Sequence, residues 1–493
     1  MTENSDATTY QSQPAKMPWI PLTPIEKMAE TDYDVLIVGS GAGGGAALWR
    51  LIEQSKNKGM RIGMIEAGDL LLPTHAHNLP TFDQTRFTQF IDSPHYAEQI
   101  GNLWPDYPGA RIFRALGGRT LHWYLMCPRL LPEEIKSWPI SYQELVPYYL
   151  TAEQIMNVTD AYAKGSALQE KLLHRLRFGG FPDATDLPMA VDLDVTRYGQ
   201  LHSNVFFSSI IFMAYALNMK PFDLAVNTRA VQVLTEKGRA AGVKVVTSDG
   251  KTSTIRAKTV ILSASTFETP RILLNSHIPG EAIGRYLVNQ PTVIAAAKIN
   301  RNQFPEVLGN AAIMVPSAAD RKYMFFTLGT DPLDYWWYHY KERKLLDELR
   351  LGFFGLATLE PRFENHVSLD PIRRDSFGVP LLKVQFSYSS QDKTVIRELT
   401  ASIRRAAAAM GLDFYENPSL LPPGLDNHEA GTCRMGNDPA TSATNQYGQI
   451  HGVPGLYAAD NSVLLLTGAA NPTLTTVALA IRTADYILSQ YHE

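Results

Sequence analysis

The sequence predicts an α/β chain, α+β overall: a Rossmann-like dinucleotide-binding domain with a parallel sheet, plus a second domain built on an antiparallel sheet with helices on one side. Three stretches carry this. In residues 33–45, YDVLIVGSGAGGG, a β-branched apolar run ends in glycines and continues into alanines, which reads as strand, tight turn and helix start. Residues 223–266 alternate β-branched with polar residues and turn at Lys237-Gly238 and Asp249-Gly250, a β-meander. In residues 293–410 strand-like runs are followed by a long alanine-rich helix, the order of an antiparallel sheet with helices on one face.

Composition sets the bounds. A chain of 493 residues exceeds one simple core and points to two or three domains. With 45% hydrophobic and 19% charged residues it is ordinary globular protein, and a net charge of −4 offers no basic surface for nucleic acid. Cys127 and Cys433 make no disulfide framework and fit a reducing compartment; no metal site is expected. The first thirty residues are polar and proline-spotted, without the basic and apolar regions of an export signal, so a cytoplasmic location is expected. They read as an arm, disordered or laid over the surface, with Trp19 and Ile20 as anchors. The uncharged window Asn461 to Ile481 carries Asn, Ser, Thr, Gly and Pro through its first half, and no membrane span is expected.

Taken in order, Gly39, Gly41 and Gly44 have the GxGxxG spacing that allows a tight turn, close backbone approach to a pyrophosphate and close packing of helix on strand. The helix N-terminus that follows faces its unpaired N–H groups to the phosphates. The strand Arg61–Ile65 ends in Glu66, placed to accept from ribose hydroxyls. The glycines alone would fit an ordinary loop; strand, helix and acid together indicate a dinucleotide, with NAD or FAD left open. Residues 68–108 lose periodicity, a long excursion of the kind that carries function. In 114–130, RALGGRTLHWYLMCPRL, Gly117-Gly118 would let backbone approach a planar ring, beside Thr120, His122 and Trp123. His122 would alternatively be a buried, satisfied histidine in a turn.

Residues 141–178 are helical, with Ser141 as N-cap and Glu144 at the capping-box position. The meander feeds a strand Thr259–Leu262 and a second small-residue turn, Ser263–Thr266. Strands are expected at 293–300, 310–328, 352–369 and 380–388, then a helix Asp392–Met410 with arginines outward. The run Tyr335 to Tyr340 is either a packing cluster or a platform for a sugar face. Near the C-terminus Asn471-Pro472 predicts a helix from Pro472 to about Leu488 capped by Asn471. Its positive N-terminus suits a ligand that becomes anionic on reduction, as a flavin does at N1 and its C2 carbonyl. His451 sits in a turn before a strand and is read as structural.

Four motifs in order resemble the glucose-methanol-choline (GMC) oxidoreductases: residues 39–45 with Glu66, GGRTLHW at 117–123, HEAGTCRMG at 428–436, and YAADNSV with AANPTLT at 457–475. The resemblance implies an FAD-dependent enzyme that oxidises an alcohol by hydride transfer to flavin N5, with His428 as base and Asn471 as its partner. It implies FAD contacts at Gly39, Gly41, Gly44, Glu66, Gly117, Gly118, Thr120, His122, the Val231 backbone, Asp460, Pro472 and Thr473. Asparagine at 471 is similar to the pyranose oxidase branch and the flavoprotein subunits of sugar-acid dehydrogenases, and the motifs together resemble those and the bacterial glycoside 3-oxidases. In pyranose oxidase the histidine matching His122 holds FAD covalently through the 8-methyl group, whereas related bacterial chains bind FAD without that bond; attachment through His122 stays open.

The chemistry of the two residue types agrees, since a base near neutral pKa must take the hydroxyl proton and a carboxamide can steady the same oxygen. The expected reaction is a sugar or glycoside hydroxyl going to a ketone, with O2 or a quinone as acceptor. The alternatives are a flavoprotein subunit serving a cytochrome or membrane partner, and a redox-silent lyase on the same fold. The expected division is an arm at 1–30, an FAD-binding domain at 31–131, 200–292 and 425–493, and a substrate-binding domain at 132–199 and 293–424. The chain departs from the larger fungal enzymes in being shorter and lacking a secretion signal.

Overall fold

The buried run Val35–Val38 needs neighbours on both sides, and the chain supplies them from distant segments. In the computed structural model, which describes residues 17–491 apart from 80, 83, 101–106, 194–204, 301, 305–309 and 330–347, β1 (Asp32–Val38) lies parallel to β2 (Ile62–Ile65). The aromatic run at 335–340 lies outside the described residues. Beyond β2 comes β3 (Asp223–Ala225). The meander supplies β4 (Thr228–Glu236), β5 (Arg239–Thr247) and β6 (Thr252–Leu262), giving the order β3-β2-β1-β6-β5-β4 with the short strand Leu456–Ala458 beside β6. The pairs β3–β2, β2–β1 and β1–β6 are parallel, and the meander pairs are antiparallel. A parallel centre puts the C-terminal ends of β1 and β2, hence Gly39 and Glu66, at one edge, where open α/β sheets bind ligands. The helices Ala42–Ser55 and Thr473–Gln490 are clipped together by Arg50, whose guanidinium donates to both Asp485 carboxylate oxygens at 2.6 and 2.9 Å.

The second sheet comprises β7 (Thr292–Asn300), β8 (Ala312–Val315), β9 (Tyr323–Gly329), β10 (Glu348–Ala357) and, after the hairpin β11 (His366–Arg374) and β12 (Pro380–Gln385), β13 (Asp413–Leu420). Its order is β13-β7-β10-β9-β8, with the two-residue strand Thr185–Asp186 at the edge. Alternation divides its faces. Val293, Ala295, Ala297, Phe325 and Phe353 share a core with Leu399 and Ile403 of the helix Ser390–Met410 and with Leu172 of the helix Ala167–Phe178. Ile294, Phe326, Phe354 and Leu356 face a cavity.

Several local expectations are corrected. The segment 310–328 is two strands, because Pro316 and the Ala318–Arg321 turn break it. The segment 352–369 spans the end of β10 and the start of β11, and β11–β12 is a separate hairpin. Of the two anchors expected in the arm, Ile20 is buried and Trp19 is exposed; Thr23 N–H donates to Leu224 O at 2.7 Å, and Met28 of the short helix Ile25–Ala29 is fully buried. The Ser141–Glu144 capping box is present, on a helix Tyr142–Ile155. Among the described residues no helix is long and apolar enough to cross a membrane.

Candidate active site

The three motif glycines do different work. Gly39 turns at φ +98°, and a Cβ there would come 2.3 Å from the carbonyl oxygen of Ser263. At Gly44 a Cβ would come 2.0 Å from Gly39 O, so the helix closes on the turn only without a side chain. Gly41 has nothing within 4 Å on its Cβ side and borders the cavity, which leaves room for close approach of a ligand.

Glu66 and Asp460 each hold one turn. Glu66 Oε2 accepts from Ser40 N–H (3.1 Å) and its hydroxyl (2.6 Å), while Oε1 accepts from Gly68 N–H (2.8 Å). Burial raises the pKa of Glu66, and these donors work against that rise. A carboxylate offers about four lone-pair sites, so capacity for ribose hydroxyls remains. Asp460 accepts from Ser265 N–H (2.9 Å), the Thr269 hydroxyl (2.6 Å) and Ser462 N–H (2.8 Å), tying the second small-residue turn to the loop at 460–462.

A cavity of about 500 Å³ is bordered by Gly39, Gly41, Glu66, Gly118, Thr120, His122, Asp460, Pro472 and Thr473, and also by His428 and Asn471. Gly44 does not border it. Nor does Gly117, which sets the turn below at φ +96° and donates its N–H to the Ser40 hydroxyl at 3.0 Å. Val231 does not border the cavity. The register of β4 against β5 slips beside it, its side chain packs with Val246 and Val379, and its carbonyl accepts from Asn275 Nδ2 at 2.7 Å. Thr228, Arg229 and Ala230 border the cavity in its place.

Thr120 is turned inward, donating to Gly117 O at 2.6 Å and accepting from Ser209 N–H at 2.8 Å. The His122 ring packs edge-on to Phe113 at 4.5 Å, and its buried Nδ1 has no hydrogen-bond partner. Burial, then the Arg119 guanidinium, lowers its pKa to about 3, so the imidazole is neutral. His451 bonds the Ser442 hydroxyl through Nε2 at 3.0 Å.

His428 is set by its neighbours. Its backbone N–H donates to Asp426 Oδ1 at 2.8 Å, and its Nδ1 lies 2.7 Å from Gln290 Oε1. Gln290, fully buried, donates its amide N–H groups to the carbonyls of Gly468 (2.8 Å) and Ala470 (3.0 Å). Those two bonds fix which end of the amide faces His428: an oxygen, which can only accept. Nδ1 therefore carries the proton and Nε2 the lone pair. Burial, then Arg119, lowers the His428 pKa to about 4. Asn471 follows Ala470 directly, so one glutamine ties both residues to a single frame. The helix begins at Thr473 with Pro472 as its N-cap and no side-chain cap bond; Asn471 does not cap it, and its buried Oδ1 has no partner. An orphaned buried acceptor costs about 1–3 kcal/mol, which a ligand hydroxyl would relieve.

Sequence reasoning missed Gln290, Asp426 and the Arg119–Glu429 pair. The Asp426 carboxyl, pushed up to about 7 by burial and by Glu429, accepts from Asn289 Nδ2 at 2.7 Å. Arg119 donates to Glu429 Oε2 at 2.7 Å and to the carbonyls of Arg111 and Asn427, tying the GGRTLHW turn to the His428 loop. The signal for Gln290 is a polar Asn289-Gln290 pair between buried Val288 and a strand, but its partner lies 138 residues away.

Residues 110–292 match the N-terminal model of the GMC oxidoreductases and residues 361–480 the C-terminal one. The chain belongs to the GMC oxidoreductase family. It is 27% identical to the C-glycoside 3-oxidase of Arthrobacter globiformis over 93% of this chain and 95% of that one. It is 26% identical to the 2-methyl-1,2-propanediol dehydrogenase of Mycolicibacterium austroafricanum over 93% and 96%. The solved pyridoxine 4-oxidase from Mesorbium loti superposes with a TM-score of 0.67 over 93% of this chain and 99% of that one; at 16% identity this is a likeness of fold. As a GMC oxidoreductase the chain is an FAD-binding oxidoreductase acting on CH–OH groups. The residues present fit that group. The open side of Gly41, the acid at the end of β2, and the orphaned buried atoms of His122 and Asn471 beside one cavity are what a large polar and planar ligand would use.

Proposed function

We propose that this GMC oxidoreductase oxidises a hydroxyl of a sugar or glycoside to a ketone, with His428 as the base. The observation that carries the reading is the Gln290 frame, which leaves Nε2 as the unprotonated nitrogen of a neutral imidazole whose residue borders the same cavity as Asn471. FAD, when bound, supplies the hydride acceptor at N5. Gly39, Gly41, Glu66, Gly118, Asp460, Pro472 and Thr473 would hold it. His428 Nε2 takes the hydroxyl proton, and the Asn471 amide steadies the same oxygen as negative charge develops. The name of the Arthrobacter globiformis relative supports a glycoside.

An anaerobic screen of monosaccharides, glycosides and aminosugars tests this: sugars should bleach the flavin absorbance. Silence across the panel with bleaching by simple diols would move the substrate to small alcohols, the class named by the Mycolicibacterium austroafricanum relative. We propose O2 or a quinone as acceptor; turnover with an added dye but not with O2 would favour a dehydrogenase subunit that serves a cytochrome or membrane partner. The two cysteines, both buried and unpaired, fit the proposed cytoplasmic location.

For covalent attachment His122 is the side chain to test, since its imidazole is neutral and its Nδ1 unpartnered. After acid precipitation, yellow colour in the pellet that His122→Ala sends to the supernatant assigns the bond to His122. Colour in the supernatant from the start assigns His122 a packing role.

A further inference from the structure

One wall of the cavity is a sheet face, and its chemistry narrows the substrate. Ile294 of β7 lies opposite Phe354 of β10, and Phe354 lies opposite Phe326 of β9, so the three form one row across the sheet. All three border the cavity. The Phe326 and Phe354 rings are stacked at 5.2 Å and 17°. Tyr124, 44% exposed, lies 6.3 Å from the Phe354 ring, and Leu421 and Leu425 also border the space.

Apart from the Tyr124 hydroxyl, these side chains offer no hydrogen bond. A sugar ring carries hydroxyls on every edge, and pressing them against such a wall would strip their water without replacement. The polar groups His428 and Asn471 suit a hydroxyl-bearing ring; the aromatic row suits a flat apolar one, through offset stacking and burial.

We infer that the substrate is an aryl glycoside, its sugar at His428 and Asn471 and its aromatic substituent on Phe354 and Tyr124. The sugar half rests on the proposed function; the aromatic half rests on the wall.

Anaerobic calorimetry on the FAD-loaded protein with its flavin reduced beforehand, so that no hydride can be taken, and with phenyl and methyl glycosides matched in their sugar, reads the aromatic half without turnover. The phenyl compounds should bind about tenfold or more tightly. Tyr124→Ala, at an exposed side chain, and Phe354→Leu, which keeps the strand apolar, should each shrink that ratio by about threefold or more. Equal affinities, no measurable binding of any phenyl compound, or a ratio unchanged in both variants overturns the inference, and equal affinities would assign the wall to the cofactor. Flavin bleaching keeps the two readings apart. Bleaching by both sets with no phenyl preference leaves sugar oxidation standing and removes the aryl class. Phenyl-selective binding with no bleaching by any sugar supports the aromatic site and removes the sugar reading.

Discussion

Replacing His428 by alanine is expected to leave the protein folded and yellow while slowing substrate-dependent flavin reduction by about 10²- to 10⁴-fold. The imidazole makes one side-chain hydrogen bond, to Gln290, so its removal unties little. The loop keeps its backbone pair between Val288 and Ala430 and the ion pair between Arg119 and Glu429. The base is lost without loss of the site's shape. In the parent the pH dependence has a definite sign. The imidazolium cannot accept a proton, and burial with Arg119 nearby holds the pKa at about 4. Reduction should therefore be at full rate above that pH and fall as pH drops through it, well below the ordinary histidine range near 6.5. Anaerobic stopped-flow from pH 3.5 to 8 measures both effects. A His428→Ala variant that reduces flavin at the parental rate would sink the assignment of the base.

What was legible in the sequence was what is local. The roles of Gly39, Gly41 and Gly44 follow from a spacing of a few residues, and the turn geometry matches them one by one. The meander and the Ser141 cap were readable because alternation and capping are short-range patterns. That Val231 packs away from the cavity was not legible, because a one-residue slip in a strand exchanges which groups face each side, and a bulge leaves no mark in composition. Asn471-Pro472 was read as a cap because that dipeptide favours one, yet the side chain leaves the helix end alone and stays unpartnered beside the cavity. A local preference of this size is outweighed where tertiary contacts, here those of Gln290 to the preceding carbonyls, set the backbone. The aromatic row on the second sheet was hidden because Ile294, Phe326 and Phe354 become neighbours only through strand pairing.

Substitution of Gln290 should have the second large effect, through His428 and without contact with substrate. Leucine at 290 removes the acceptor for Nδ1–H, so the imidazole can take either tautomer, and it orphans the carbonyls of Gly468 and Ala470 just before Asn471. Where an orienting side chain is changed so that a catalytic histidine adopts the wrong tautomer, rates fall by up to about 10⁴-fold, and a loss of about 10²-fold or more is expected here. Misfolding would also lower activity, so Gln290→Glu supplies the contrast. An ionised glutamate still accepts from Nδ1–H, and its negative charge favours the imidazolium. The acid limb should then move up from about 4 toward neutral pH, with more activity retained at pH 8 than leucine allows. A purely structural glutamine would give two variants with lowered activity and an acid limb still at the parental pH. A positioning glutamine gives limbs that separate, because both variants lose the amide donors to the Gly468 and Ala470 carbonyls and differ in whether a charged acceptor still faces the imidazole Nδ1.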